Sequence, residues 1–201
     1  MTFDMRSLLG ISFFYSMFQQ LVGAESARDR FTQLHIRPHP GLSILDIGCG
    51  TAEILDSLPD VDYFGFDASP VYIEAARHKY SGRATFAVGS IANPPMTTQR
   101  YDLVLAMGVV HHVADAAATA LFQLARDHLK SGGRVVTIDP VITPDQARLA
   151  RFVVNKDRGK HVRTLREYES LTQAVFPAGL LTVHHDLLRI PYSHVVLHAD
   201  V

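Results

Sequence analysis

The hydrophobic positions of this chain fall into short apolar runs that alternate with helical patterns. "LSILDI" (42–47), "VDYFGF" (61–66), "ATFAV" (84–88), "YDLVLAM" (101–107) and "RVVTID" (134–139) read as strands covered on both faces. "TAEILDSL" (51–58) predicts a helix ended by Pro59, and "SPVYIEAARHKY" (69–80) a helix with Ser69 as N-cap and Pro70 at its first position. "DAAATALFQLARDHLK" (115–130) is the clearest helix, with Asp115 as N-cap and "SGG" as its stop. Alternation at this spacing predicts βαβ units: an α/β fold with a doubly wound, mostly parallel sheet and helices on both faces.

The two ends of the chain depart from that rhythm. Residues 145–176 read as helical with a break near Gly159. "LLTVHHDLL" (180–188) and "SHVVLHAD" (193–200) are strand-like, and the short link "RIPY" permits only an antiparallel pair. Residues 7–24 carry no charge, Arg6 precedes them, and "VGA" resembles a cleavage site. Asp4 spoils a basic leader, Gln19 and Gln20 interrupt the apolar run, and the segment is short and polar for a membrane span. The expectation is an aromatic-rich helix (Phe13, Phe14, Met17, Phe18, Leu21) packed on the domain or over a pocket. "RPHPG" (37–41) is a turn that separates the N-terminal helical region from the first strand. The expected plan is a single domain: an N-terminal helical cap (1–40), a core of alternating strands and helices (41–140), a helical segment (141–177) and a C-terminal hairpin (178–201).

Composition narrows the function classes. With 201 residues, 47% hydrophobic and 19% charged, the chain reads as one globular domain. A formal net charge of −1 gives no general attraction to nucleic acid or anionic membrane. The one cysteine, Cys49, excludes an internal disulfide and fits a reducing, cytoplasmic setting.

The chemistry begins at "LDIGCGTAE" (45–53), a glycine turn between a strand and a helix. Glycines there let the backbone approach a ligand closely at the C-terminal mouth of a parallel sheet. A dinucleotide fingerprint wants a third glycine where Glu53 stands, and a carboxylate beside a helix N-terminus repels a pyrophosphate. Asp67 ends the second strand, about 20 residues after Asp46, where a doubly wound fold places a carboxylate to accept both ribose hydroxyls. Together these residues ask for a nucleoside with a ribose diol and no phosphate near the turn.

"LDIGCGTA", "YFGFDAS", "YDLVLAMGVVHHV" and "LKSGGRVVTIDP", in this order, resemble the motifs of the class I S-adenosylmethionine-dependent methyltransferases, over about residues 40 to 140. The resemblance implies a Rossmann-like, seven-stranded sheet whose last strand is antiparallel, and S-adenosylmethionine as cofactor, leaving S-adenosylhomocysteine. It also implies roles for individual residues. Gly48 and Gly50 lie along the methionine part, and Asp46 orients their loop. Ala52 stands where a third glycine is frequent. Asp67 takes the ribose, Ala68 lies against the adenine, and the backbone of Met107 meets the methionine ammonium. An Asp often follows strand three in that family; here "GSIA" offers Ser90, with Ile91 as an apolar wall.

Methyl transfer from a sulfonium needs positioning above all, and a base only where the acceptor loses a proton. His111 and His112 follow the fourth strand, at the acceptor end of the expected cofactor. They read as an acceptor-facing catalytic pair or as pocket wall. A metal site is not expected, because no further ligands converge near them. His184 and His185 alternate faces on a strand and read as structural. "NPPM" (93–96) mimics a nucleic-acid amino-methyltransferase motif, but it precedes strand four and lacks the tyrosine, so it reads as a loop. Residues 148–166 hold Arg148, Arg151, Lys156, Arg158, Lys160, Arg163 and Arg166 against Asp157 alone. They read as a solvated basic helix or as a clamp for a carboxylate- or phosphate-bearing acceptor, through Arg158, His161 or Arg163. Tyr15 and Tyr192 are further candidates for the mouth. The expected function is methyl transfer to a small molecule. The rivals are a non-catalytic S-adenosylmethionine-binding or scaffold domain, and a nucleic-acid methyltransferase.

Overall fold

The computed structural model describes residues 24–155, 159–188 and 192–201. Helix α1 (Ala24–Phe31) runs into a single π turn (Thr32–Ile36) and leads to β1 (Ser43–Ile47). The core continues through β2 (Asp62–Asp67), α2 (Pro70–Lys79), β3 (Thr85–Val88), β4 (Tyr101–Met107), α3 (Asp115–Asp127) and β5 (Leu129–Ile142). After it come α4 (Arg148–Asn155), the two-residue β6 (Arg163–Thr164), α5 (Leu165–Gln173), β7 (Leu180–His184) and β8 (His194–Asp200). The main sheet is ordered β3-β2-β1-β4-β5-β8-β7, with β6 paired to β5 off that path. Strands β1 to β5 are parallel, and β8 is antiparallel to both β5 and β7.

The sheet divides the core in two, which explains the unbroken apolar runs. Leu45, Val104, Val135 and Leu197 face one side, with Leu121, Phe122 and Tyr168 of α3 and α5. Their chain neighbours Ile44, Leu103, Val136 and Val196 face the other, with Ile36, Ile54 and Ile73. Successive strand residues point to opposite faces, so both must be apolar when both faces are covered.

Several boundaries differ from the pattern. The helix expected over 51–58 is a 3-10 turn, Glu53–Ser57, entered through a left-handed Ala52. The N-cap position of α3 is Ala114, not Asp115, whose carboxylate is engaged by Arg163. That helix ends at Asp127, and β5 begins at once, so "SGG" lies inside the strand. The helical segment around Gly159 is interrupted by β6, which joins the sheet edge at Val141 and Ile142. Among the described residues no helix is long and apolar enough to cross a membrane.

Candidate active site

The glycine turn sits at the C-terminal end of β1. Gly48 (φ 71°) and Gly50 (φ 55°) take left-handed backbone, which side chains disfavour. The N–H groups of Gly48 and Cys49 donate to the Phe66 carbonyl at 2.8 and 3.0 Å, tying the turn to β2. A Cβ on Gly48 would lie 2.6 Å from Val109 Cγ2, whereas one on Gly50 would meet nothing within 4 Å. Ala52 is left-handed too (φ 57°), so a third glycine would relieve backbone strain there of about 1–2 kcal/mol.

Two carboxylates frame this turn. Asp67 is half-buried; its Oδ2 accepts from the Gly50 N–H at 3.1 Å and its Oδ1 from the Ser69 N–H at 2.8 Å. It bridges the loops after β1 and β2. Asp46 is fully buried beneath the turn, and its Oδ2 accepts from the Tyr63 hydroxyl at 2.6 Å. Its Oδ1 has no hydrogen-bond partner among the described residues. Burial pushes the Asp46 carboxyl up to about 7; the Tyr63 bond works against this and the nearby Asp67 charge adds to it. Tyr63 carries no chemistry-bearing motif, and only the pairing of β1 with β2 reveals it as the support of Asp46.

On the next loops, Ala68 is exposed at the mouth. The Ser90 hydroxyl accepts from the Asn93 N–H at 3.2 Å, within a tight Ser90–Asn93 bridge. Ile91 is half-buried against the core. "NPPM" is an irregular loop, with Pro95 stacked on Gly89 so closely that a Cβ there would lie 2.6 Å from Pro95 Cδ. Met107 ends β4, half-buried, and the adjacent Gly108 N–H donates to the Ile138 carbonyl at 2.7 Å.

The histidine pair forms a 3-10 turn, Val110–His112, just past β4. His111 is buried (6% exposed) and His112 exposed, with ring centroids 4.0 Å apart. One oxygen of Asp139, Oδ1, accepts from the His111 backbone N–H at 3.1 Å and lies 2.7 Å from Nδ1. A carboxylate partner assigns the proton to Nδ1 and turns Nε2 away from the acid. Asp139 is buried in the C-terminal part of β5, and its Oδ2 has no hydrogen-bond partner among the described residues. Burial raises its pKa, while the His111 contacts pull it back. Asp139 is the functional candidate that motif reading missed. Its signal is the parallel neighbourhood of β4 and β5, where Met107 pairs with Ile138.

The basic segment does something other than grip an anion at Arg163. That side chain is 5% exposed, and all five of its N–H donors are engaged. Nε and Nη2 donate to Asp115 Oδ1 (2.9 and 2.8 Å), Nη1 to the Val110 and His161 carbonyls (2.8 and 3.1 Å), and Nη2 also to the Val113 carbonyl (2.7 Å). Arg163 is therefore a staple holding the histidine turn to β6, which corrects the expectation that this residue clamps an acceptor: none of its donors remains for one. His161 is half-buried and its N–H donates to the His111 carbonyl at 2.9 Å. Tyr192 is half-buried, with its ring centroid 4.8 Å from that of His194. Tyr15 and Arg158 lie outside the described residues. Among the described residues no group of three or more His, Cys, Asp or Glu side chains is arranged to hold a metal.

A doubly wound sheet with an antiparallel β8, a glycine turn at β1 and a carboxylate at the end of β2 defines a class I, Rossmann-like nucleoside-cofactor domain. Residues 44–133 match the family model of a methyltransferase domain. An O-methyltransferase of Pyrenophora dematioidea is 32% identical over 128 residues, 58% of this chain and 47% of that protein. A ubiquinone biosynthesis O-methyltransferase of Cereibacter sphaeroides is 35% identical over 120 residues, 57% and 47% of the respective chains. The chain thus spans about half the length of these curated relatives. The plantazolicin methyltransferase BpumL, crystallised with a triazolic desmethylPZN analog and SAH, shares the fold with a TM-score of 0.64 at 18% identity, over 87% of this chain and 83% of that one. Over residues 44–133 the chain carries a methyltransferase domain, and its fold is the Rossmann-like one of the class I methyltransferases, which use S-adenosylmethionine.

The residues present fit that cofactor. Open space above Gly50 admits a ligand against the backbone, and the half-buried Asp67 carboxylate offers two acceptor oxygens beside it. The orphaned Oδ1 of Asp46 calls for a donor beneath the turn.

Proposed function

We propose that this chain, as a single methyltransferase domain, transfers a methyl group from S-adenosylmethionine to a hydroxyl oxygen of a small molecule. The observation that carries the oxygen assignment is the His111–Asp139 pair, 2.7 Å apart and both buried, with His111 just past β4, the sheet neighbour of the β1 strand that ends in the glycine turn. A hydroxyl must lose its proton as the methyl arrives, whereas most of the remaining catalysis is alignment. In this reading Nε2 of His111 takes that proton, and the Asp139 carboxylate offsets the charge of the imidazolium. Asp46, Gly48, Gly50, Asp67, Ala68, Ser90, Ile91 and Met107 hold the cofactor, which supplies an activated methyl group when bound. His112 and Tyr192 line the acceptor mouth. A carboxylate or phosphate on the acceptor would be met by Arg158 and His161. The formal net charge of −1 supports a small acceptor over nucleic acid, and the single cysteine supports a cytoplasmic setting.

Calorimetry with S-adenosylhomocysteine and labelled methyl transfer to hydroxybenzoates, dihydroxybenzoates and matching aminobenzoates test this reading. Binding is expected to weaken roughly 10- to 100-fold in Asp67→Ala, as lost hydrogen bonds to a charged group predict. Transfer is expected to hydroxyls and not to amines. Absence of binding heat overturns the cofactor reading, and transfer to the amines alone overturns the oxygen assignment.

A further inference from the structure

The segment from Gly159 to Arg163 crosses directly over the histidine turn. An ideal Cβ on Gly159 would lie 2.0 Å from His111 Cδ2, 3.0 Å from Cγ and 2.8 Å from the His111 carbonyl oxygen. No side chain fits there unless the ring or the strap moves. The same strap sends the His161 N–H to the His111 carbonyl at 2.9 Å, and is anchored by Arg163 to the carbonyls of Val110 and Val113. Each edge of the imidazole then has a neighbour that sets its angle. Asp139 Oδ1 holds Nδ1, the Gly159 backbone abuts Cδ2, and Cε1 lies beside Gly108, where a Cβ would be 3.7 Å away. Nε2 lies between those two carbon edges, opposite the acid.

We propose that Gly159 is a positioning residue for methyl transfer: its lack of a side chain lets the strap close on His111 and fix the imidazole against Asp139, with Nε2 presented to the acceptor. This rests on the reading of His111 as the base. Asp139 supplies the hydrogen bond and Gly159 supplies the steric stop, so the ring has one available orientation. The sequence pattern shows Gly159 only as a helix breaker, whereas the structure assigns it a contact.

The test is nitrogen NMR of the full chain with ¹⁵N-labelled histidine and S-adenosylhomocysteine present, comparing the unsubstituted chain, Gly159→Ala and His111→Ala. The His111 resonances are expected to show one tautomer, with the proton on Nδ1. Gly159→Ala is expected to lose that single pattern while binding S-adenosylhomocysteine within about threefold of the parent. Turnover of a hydroxybenzoate or dihydroxybenzoate acceptor should then fall about 100-fold, the scale of a misplacement of about 1 Å. A His111 spectrum unchanged in Gly159→Ala overturns this inference alone. Full turnover in His111→Ala overturns the base reading, whatever the ring does in Gly159→Ala. Should Gly159→Ala fail to fold, His111→Ala/Gly159→Ala decides. With the ring gone only the contact to the carbonyl remains, so the double variant should recover folding or melt closer to His111→Ala than the single variant does to its parent. An equal loss in both backgrounds places the clash elsewhere and sinks the proposal.

Discussion

Nδ1 of His35, in the π turn after α1, and Nε2 of His198, in β8, lie 2.8 Å apart, one donating to the other. The His184 ring stands edge-on to His35, with centroids 4.9 Å apart, so three imidazoles join the start of the described chain to the terminal hairpin.

Acid should open this joint first. Burial, then His198, His184, Arg37 and Arg30, lower His35 to about 4, and burial also lowers His184 and His198. Arg30 also opposes charge on His184, and Arg37 and Arg134 oppose it on His198, while Asp186 and Asp200 favour it. The unfolded chain binds protons at these sites below about 6.5, before the folded chain does, so stability falls as pH drops from 6.5 toward 4. Hydrogen exchange at residues 31–36 and 180–184 should rise over that window, and His35→Phe should flatten it. Equal slopes in the two proteins would falsify the assignment.

Asp139→Asn keeps the shape of the side chain and removes its charge. Turnover is expected to fall by about 10²-fold or more, since the imidazolium loses its counter-charge. Affinity for S-adenosylhomocysteine should stay near the parental value, because Asp139 bonds to the histidine turn and the glycine turn is tied instead to Phe66 and Asp67. Equal losses in both quantities would make Asp139 a stability residue instead.

Removing Arg163 leaves the carbonyls of Val110, Val113 and His161 without their donor. Arg163→Ala is expected to destabilise the fold by about 2–3 kcal/mol, or about 5–10 °C in melting temperature. Asp115→Ala should matter less, under about 1 kcal/mol, because its side chain is 78% exposed and its ion pair is screened. A larger effect at Asp115 than at Arg163 would reverse this account of the staple.

The buried Asp46 gives a pH dependence of the opposite sign to the histidines. With its folded pKa raised to about 7, the folded chain keeps a proton that the unfolded chain loses near 3.8. The resulting stability is whole below about 4 and is lost as pH rises through 7. The melting temperature of Asp46→Asn relative to the parent should therefore climb between pH 4 and 7, by the equivalent of a few kcal/mol. Denaturation at stepped pH measures it, and a constant difference would contradict it.

The parts of the molecule legible in the sequence are those with local causes. Strands covered on both faces must be apolar throughout, so β1, β2, β4 and the centre of β5 stand out, and the glycine turn declares itself because Gly48 and Gly50 need left-handed backbone. The illegible parts depend on pairings across the sheet. Asp139 meets His111 only because β4 and β5 are neighbours, and Tyr63 supports Asp46 only through the register of β1 with β2. Arg163 sits in a basic run that suggests an anion, and only its burial against three carbonyls shows it to be a staple. The helix expected from residue 51 is shortened because Ala52 turns left-handed at its entrance.

The placement of β8 between β5 and β7 has a consequence for the birth of the molecule. Its strand, His194–Asp200, is synthesised after every other strand of the sheet yet occupies an interior position, paired with β5 from Arg134 to Pro140. Until a ribosome has released it, the nascent chain carries an open β5 edge beside Val135 and Val136, both apolar and fully buried in the finished fold. Such an edge is a template for pairing with another chain. The interval between making β5 and laying β8 beside it is when that edge stands open to another chain.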